Sequence, residues 1–395
     1  MSSEFVIDKN IDQLFENLPV GSIRKAIGNN LYGINFRQTP AAIPSARDTF
    51  GFTFFTRPQF NLTLANVSIY RPFYSLLTTN ATSYQRYLRL MLDPRLSLND
   101  GLKSPFVDSY NPFIPILTNN ITSLSGWPDL VIPTYTSPSG LYGEEHSMVD
   151  GVVNHFENFD VDASFRNTRG SPILYMFYIW LKYQTLVFEG ILTPYLDFIT
   201  ENELDYNTRI YRVVLDHRKK FVTFIAATGA SFPLNVPTGN IFDFNVDTPF
   251  NNSNSTINVR FRCNGFTAFE DILKKEFNET GAIFNADIRK ILEHDLENSG
   301  NEASAREDEN VIYRNINGSS LVKIPYSLAM MSSASVTNNK FYNLNYRAYP
   351  YINLYTNELE WWTYEPRFGE ATSRSFIESL ENEGIQSDLF EFEGE

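Results

Sequence analysis

Asn207–Asp216 reads NTRIYRVVLD, and Phe221–Thr228 reads FVTFIAAT. Both runs are rich in β-branched and aromatic residues, and the first alternates apolar with polar positions, the pattern of a half-buried strand. Between them stand His217, Arg218, Lys219 and Lys220, a short polar connection. Two such runs joined so briefly predict an antiparallel hairpin. Gly229–Gly239 follows as a turn-rich exit, and Ile257–Arg262 (INVRFR) reads as a further short strand.

Helices flank this strand-rich centre. Ser171-Pro172 carries the chemistry of a helix start, and the apolar run that follows reaches Glu189, where Gly190 fits a C-terminal stop. Two amphipathic helices are expected over Ala268–Asn278 and Phe284–Glu297. The second sets Phe284, Ile288, Ile291, Leu292 and Leu296 on one stripe. Nearer the N-terminus, Ile11, Leu14, Phe15 and Leu18 have helical spacing up to Pro19. Thr49–Leu64 reads as a strand broken at Pro58, and Ser83–Leu92 as a helix ended by Asp93-Pro94. Val311–Tyr364 is again strand-like. Hairpins mixed with separate helices imply an α+β fold, an antiparallel β-rich core with several packed helices and long extended loops or arms.

At 395 residues the chain exceeds one ordinary core. Composition divides it into an N-terminal arm and mixed segment (1–98), an extended Pro-, Asn- and aromatic-rich segment (99–145) and a central α+β domain (146–298). A polar linker (299–310), a C-terminal β-rich segment (311–377) and an acidic tail (378–395) follow.

The chain holds 46 Asp and Glu against 32 Lys and Arg, a net charge of −14. Nucleic-acid binding needs a concentrated basic surface, and the densest cluster here is the four-residue turn His217–Lys220, so direct nucleic-acid binding is not expected. The one cysteine, Cys263, excludes an internal disulfide framework. The N-terminal residues lack the basic and apolar regions of a secretion signal. The longest apolar run, Pro172–Gly190, is interrupted by Lys182, Gln184 and Glu189 and reads as a buried helix, so no membrane insertion is expected.

Chemistry-bearing residues are few. Glu144, Glu145, His146, Asp150, His155 and Glu157 form the densest set of metal-ligand types, but the two histidines are not spaced for one helical turn, and a polar loop is the simpler account. Asp243-Phe244-Asn245-Val246-Asp247 begins like a calcium loop, yet Thr248 and Asn254 stand where the loop requires Gly and a bidentate carboxylate. Gly229-Ala230-Ser231-Phe232-Pro233 resembles a nucleophile elbow with Pro where Gly is needed. Cys263 beside Arg262 raises the question of a lowered thiol pKa. Glu201, Glu203 and Asp205 offer carboxylates for glycoside hydrolysis, at spacings a sequence cannot test. No catalytic, cofactor-binding or metal-binding residue is assigned, and no cofactor is expected.

Against this scarcity stand 33 Phe, 22 Tyr and 4 Trp. Such side chains dominate cores and interfaces. Many fall in 99–145, among Pro105, Pro112, Pro115, Pro128, Pro133 and Pro138, where disordered linkers would be poor in aromatics. That segment is expected to lie ordered across other elements or another subunit, leaving apolar surface exposed on the isolated chain. In Trp361-Trp362, neighbouring positions on a strand point to opposite faces; packing of both rings in the core is the favoured reading, and the alternative has one ring in the core and the other against a partner.

DTFGFTFFTRPQFNLT (Asp48–Thr63), LMLDPRL (Leu90–Leu96), and NTRIYRVVLD with ATGASFPLNVPTG (Asn207–Gly239) resemble virion structural proteins of large contractile-tailed bacteriophages. The resemblance implies a non-enzymatic tail, baseplate or neck component that is assembled in the host cytoplasm. It would pack as a symmetric homo-oligomer with other virion proteins. The alternative is a carbohydrate-binding or glycan-degrading receptor-binding protein of a phage.

Overall fold

The computed structural model describes residues 50–80, 83–98, 101–104, 107–152, 157–216, 219–242, 255–297, 321–324 and 348–364. The helix expected at Ile11–Leu18, the calcium-like run from Asp243, His155, the linker 299–310 and the acidic tail lie outside the described residues.

Eleven strands are described: β1 (Gly51–Phe55), β2 (Ile121–Ser125), β3 (Thr134–Thr136), β4 (Ser147–Val149), β5 (Asn158–Arg166), β6 (Ile210–Leu215), β7 (Val222–Pro233), β8 (Thr256–Ala268), β9 (Leu321–Ile324), β10 (Tyr349–Ile352) and β11 (Leu359–Tyr364). The longer helices are α1 (Tyr84–Leu92), α2 (Pro115–Asn120), α3 (Pro172–Phe188), α4 (Leu196–Glu201), α5 (Ile272–Phe284) and α6 (Ala286–Glu297). Six strands form one sheet in the order β1-β6-β7-β8-β5-β2, with every described pairing antiparallel. β10-β11-β9 form a second sheet, and β3 and β4 form a third of their own. The fold is α+β, with a large antiparallel sheet and several packed helices.

The β6–β7 hairpin stands where the sequence placed it. Asp216 closes its turn by accepting the amides of Lys220 and Phe221 on Oδ1, at 2.9 and 3.1 Å. β7 runs on through Gly229 to Pro233, past the expected exit. Gly229 is admitted because the neighbouring strand is too close for a side chain: a Cβ there would lie 2.2 Å from the Asn264 carbonyl oxygen. β8 likewise extends well beyond Arg262, and the first amphipathic helix is shifted to Ile272–Phe284.

The main core gathers α3 against β5 and β8. On β5, Val161, Ala163 and Phe165 are buried and lie directly opposite Phe261, Val259 and Ile257 of β8. Intervening residues are polar: Asp160 pairs with Arg262 and Asp162 with Arg260, each at 2.9 Å. This alternation gives the β5–β8 ribbon one apolar and one charged face. α3 buries Phe177, Trp180 and Tyr183 completely, and Tyr183 stacks on Phe60 with centroids 4.2 Å apart. Its C-terminus turns at Gly190, whose φ of +71° lets its amide and that of Ile191 bond back to Val187 and Leu186. No helix among the described residues is long and apolar enough to cross a membrane.

A second core fastens the C-terminal sheet. Phe277 of α5 packs between Phe54, Phe113 and Tyr211, with centroids 5.0 to 5.4 Å away. Asn278 then pairs with β10 as a neighbouring strand would: its amide nitrogen donates to the Ile352 carbonyl at 2.6 Å and its oxygen accepts the Ile352 N–H at 2.9 Å. Both tryptophans of the Trp361-Trp362 pair are buried. Trp361 meets Phe52 edge-on at 5.3 Å, while Trp362 sits in a third cluster with Ile288 and Ile291 of α6. Both faces are covered by the chain itself, in line with the favoured core-only reading of the pair.

Candidate assembly interface

The segment 127–152 leaves the body and returns to it as an arm. β3 and β4 pair in register, Thr134 opposite Val149 and Thr136 opposite Ser147. The Asp150 amide donates to the Pro133 carbonyl, and Ser137 and His146 continue the ladder. At the tip, the Tyr142 amide donates to the Glu144 carboxylate at 2.8 Å and the Gly140 amide to the Glu144 carbonyl at 2.9 Å. The tip is therefore a structured turn.

Every residue of β3 and β4 is exposed, on both faces of the ribbon. Tyr135, Met148 and Val149 are among them, Val131 ahead of β3 is exposed too, and at the tip Leu141 and Tyr142 are 90% and 91% exposed. An isolated two-stranded hairpin is marginal in water, and a contiguous apolar surface beyond the usual size marks an interaction site. The exposure anticipated for the Pro- and aromatic-rich segment is concentrated here.

The arm is anchored at its root. Trp127 packs on Phe266 and Phe159, at 5.5 and 6.4 Å. Gly126 precedes it with φ +102°, and a Cβ there would lie 2.3 Å from the Asp160 carbonyl oxygen. Beside the root lies a groove of about 250 Å³ whose walls include Val131, Pro133, Phe159 and Phe266, with the carboxylates Asp129 and Glu157 at its lining.

Residues 107–120 are held down. Asn111 and Pro112 lie on a buried arginine, Arg57, which the sequence reading passed over. Its Nη2 donates to the Leu90 carbonyl at 2.6 Å, its Nε to Met91 at 3.1 Å, and its Nη1 to Asp108 and Asn111 at 3.3 and 3.2 Å. Leu90 and Met91 end α1, so the guanidinium sits at the negative end of a helix. Burial lowers its pKa to about 10, which leaves it charged at neutral pH.

The sequence candidates for chemistry are dispersed. Among the described residues, no three His, Cys, Asp or Glu side chains are grouped to hold a metal. Glu144, Glu145, His146 and Asp150 are exposed on the arm. Ser231 is buried and donates to Thr228 Oγ1 at 2.7 Å, with no room for substrate attack. Cys263 is buried, and burial raises its pKa to about 11, the reverse of activation, while Arg262 is engaged by Asp160. Glu201 and Glu203 are exposed, whereas Asp205 is buried against the Tyr183 hydroxyl, so the three carboxyls share no environment. Burial raises Asp205 and Asp93 to about 6 each. Asp93 accepts the Leu62 amide and the Tyr195 hydroxyl, at 2.8 and 2.9 Å.

Residues 4–378 match a family model described as "Putative phage tail tube protein". A search of curated proteins finds no match. Among solved structures, the chain is similar to the tube-terminating cap of the anti-feeding prophage at 14% identity and a TM-score of 0.25, over 40% of this chain and 81% of that one. It is also similar to the sheath/tube terminator of the PVC extracellular contractile injection system in its extended state, at 12% identity and a TM-score of 0.23, over 40% and 87%.

Proposed function

The chain belongs to the phage tail tube protein family, and from that premise we propose that it is a non-enzymatic building block of a tail. In this reading, copies join into a symmetric homo-oligomer that contacts other virion proteins. The observation that carries the assembly role is the arm, an ordered β-ribbon whose two faces and tip present apolar side chains to solvent. A freely monomeric protein has no use for such surface, and an obligate interface needs it. The sparse chemistry of the chain is consistent with a structural role, since the buried Ser231 and Cys263 are unsuited to attack.

Sedimentation and electron microscopy of the purified chain test this. Rings or stacked tubes are expected, and their loss when residues 130–152 are replaced by a short Gly-Ser turn. A chain that stays monomeric at high concentration overturns the proposal. Mass spectrometry of purified particles, with copy number, checks the location in the virion independently.

A further inference from the structure

The C-terminal sheet sets an amine, a carboxamide and a buried carboxyl on one face. β11 runs between β10 and β9, with Glu360 directly opposite Tyr351 and Trp362 directly opposite Lys323. Opposed residues share a face, and so do residues two apart on a strand, so Lys323, Glu360 and Trp362 stand together. Asn353, two residues after Tyr351, joins them just past the end of β10, where its backbone N–H continues the ladder to the Glu358 carbonyl at 2.9 Å.

Glu360 is only 6% exposed and links the other two groups. Its Oε1 accepts from both Lys323 Nζ at 2.9 Å and Asn353 Nδ2 at 3.1 Å, and its Oε2 accepts the Trp362 indole N–H at 3.0 Å. The other end of the Asn353 amide is held separately: Oδ1 accepts the backbone N–H groups of Tyr355 and Thr356, each at 3.0 Å. Lys323 Nζ also lies 3.3 Å from Glu358, which in turn faces Lys220 at 3.6 Å.

A simple ion pair does not require this arrangement. Two N–H donors on a carbonyl oxygen polarise its carbon and are placed to receive charge, as in an oxyanion hole. One carboxylate oxygen in contact with both nitrogens can carry a proton from the amine to the amide nitrogen. Burial raises the Glu360 carboxyl above its ordinary range, against the opposing charge of Lys323. Burial would lower the Lys323 ammonium, but the charges of Glu360 and Glu358 outweigh it and hold its pKa above the ordinary value, so loss of its proton sets the pace.

We propose that Lys323 and Asn353 become joined by an intramolecular isopeptide bond, with Glu360 as the general acid and base. Glu360 takes a proton from the Lys323 ammonium, and the freed Nζ lone pair attacks Asn353 Cγ. The Tyr355 and Thr356 amides stabilise the negative charge on Oδ1. Glu360 then gives its proton to Nδ2, the Cγ–Nδ2 bond breaks, and ammonia leaves. The carboxylate takes the second proton from Nζ and passes it to the ammonia, which departs as ammonium. Nothing is oxidised or reduced, and no co-reactant is consumed. The product ties β9 to the end of β10 across the middle strand and closes residues 323–353 into a covalent ring. The inference is independent of the assembly reading.

Intact-mass spectrometry and peptide mapping of the full chain, folded and held at neutral pH for days, test it. The native chain should weigh less than its sequence by one ammonia, and proteolysis should release a branched peptide joining Lys323 to Asn353. Lys323→Arg, Asn353→Ala and Glu360→Gln should each keep the full mass, with circular dichroism showing that they fold. A native chain of full mass, whose two residues emerge in separate linear peptides, overturns the proposal. So does an ammonia loss that persists in Lys323→Arg. The peptide map is made on the native chain and therefore decides the question even where a variant does not fold.

Discussion

The core around α3 and the β3–β4 arm are built from similar residues and treat water in opposite ways. In the core, Phe60, Phe177, Trp180 and Tyr183 are covered to completion, and the polar tips are bonded: Trp180 Nε1 donates to the Tyr206 carbonyl at 2.9 Å. In the arm, Tyr135, Leu141 and Tyr142 are left open on a ribbon tied mainly by its own backbone. Residue type alone does not separate them. A 17-residue helix laid on a wide sheet has neighbours on several sides, whereas a ribbon of three paired residues per strand has none to spare. Stability is therefore expected to reside in the first region and association in the second.

The largest effect that would break this division is at Arg57. Arg57→Ala strips donors from two buried and two part-buried carbonyls joining α1, the 108–112 segment and the end of β1, and should cost about 3–5 kcal/mol in chemical denaturation. A loss confined to association would mean that the node serves the interface instead.

Acidification comes next. Folded Asp93 and Asp205 titrate near 6 and unfolded Asp near 3.8, so between those values the folded chain binds more protons than the unfolded one. Their contribution therefore favours the folded state as pH falls from 7 towards 4, by roughly 2 kcal/mol per group, and is lost as pH rises through 6. Thermal melts across this range should show that gain in the native chain and a smaller one in Asp93→Asn.

Tyr183→Phe should cost about 1–2 kcal/mol, since it removes the hydroxyl that donates to Asp205 and accepts the Asn61 amide. The smallest effect on folding is expected at the arm tip. Leu141→Ser with Tyr142→Ser should alter stability by no more than about 0.5 kcal/mol while weakening self-association. A large fall in Tm would show that the tip is packed within its own chain.

Much of the core could be read from the residues, for stated reasons. The β6–β7 hairpin and α3 announce themselves through strand alternation, a polar turn, and Gly190 after a long apolar run. β5 was missed because NFDVDASFR has only three strongly buried positions, and its charges pair with β8 across a distance that no local pattern reveals. Arg57 was missed for a related reason. An arginine before a proline reads as a surface residue until the carbonyls around it are placed. The segment was legible in part: prolines and aromatics marked 99–145 as ordered, but not that 107–120 is bound to the body while β3 and β4 pair only with each other. The fate of Trp361-Trp362 depended on α6 arriving to cover the second ring, a tertiary event invisible to strand periodicity.

The tie between the Tyr349 hydroxyl and Asp108, 241 residues apart, has a consequence for the order of synthesis. The ribosome releases β1 and the Arg57 node long before β10 and β11 exist. Until then Phe52 lacks Trp361, and the aromatic cluster around Phe277 lacks the sheet that closes it. A nascent or truncated chain thus carries an unfinished aromatic face, prone to sticking, that only the last quarter of the polypeptide seals.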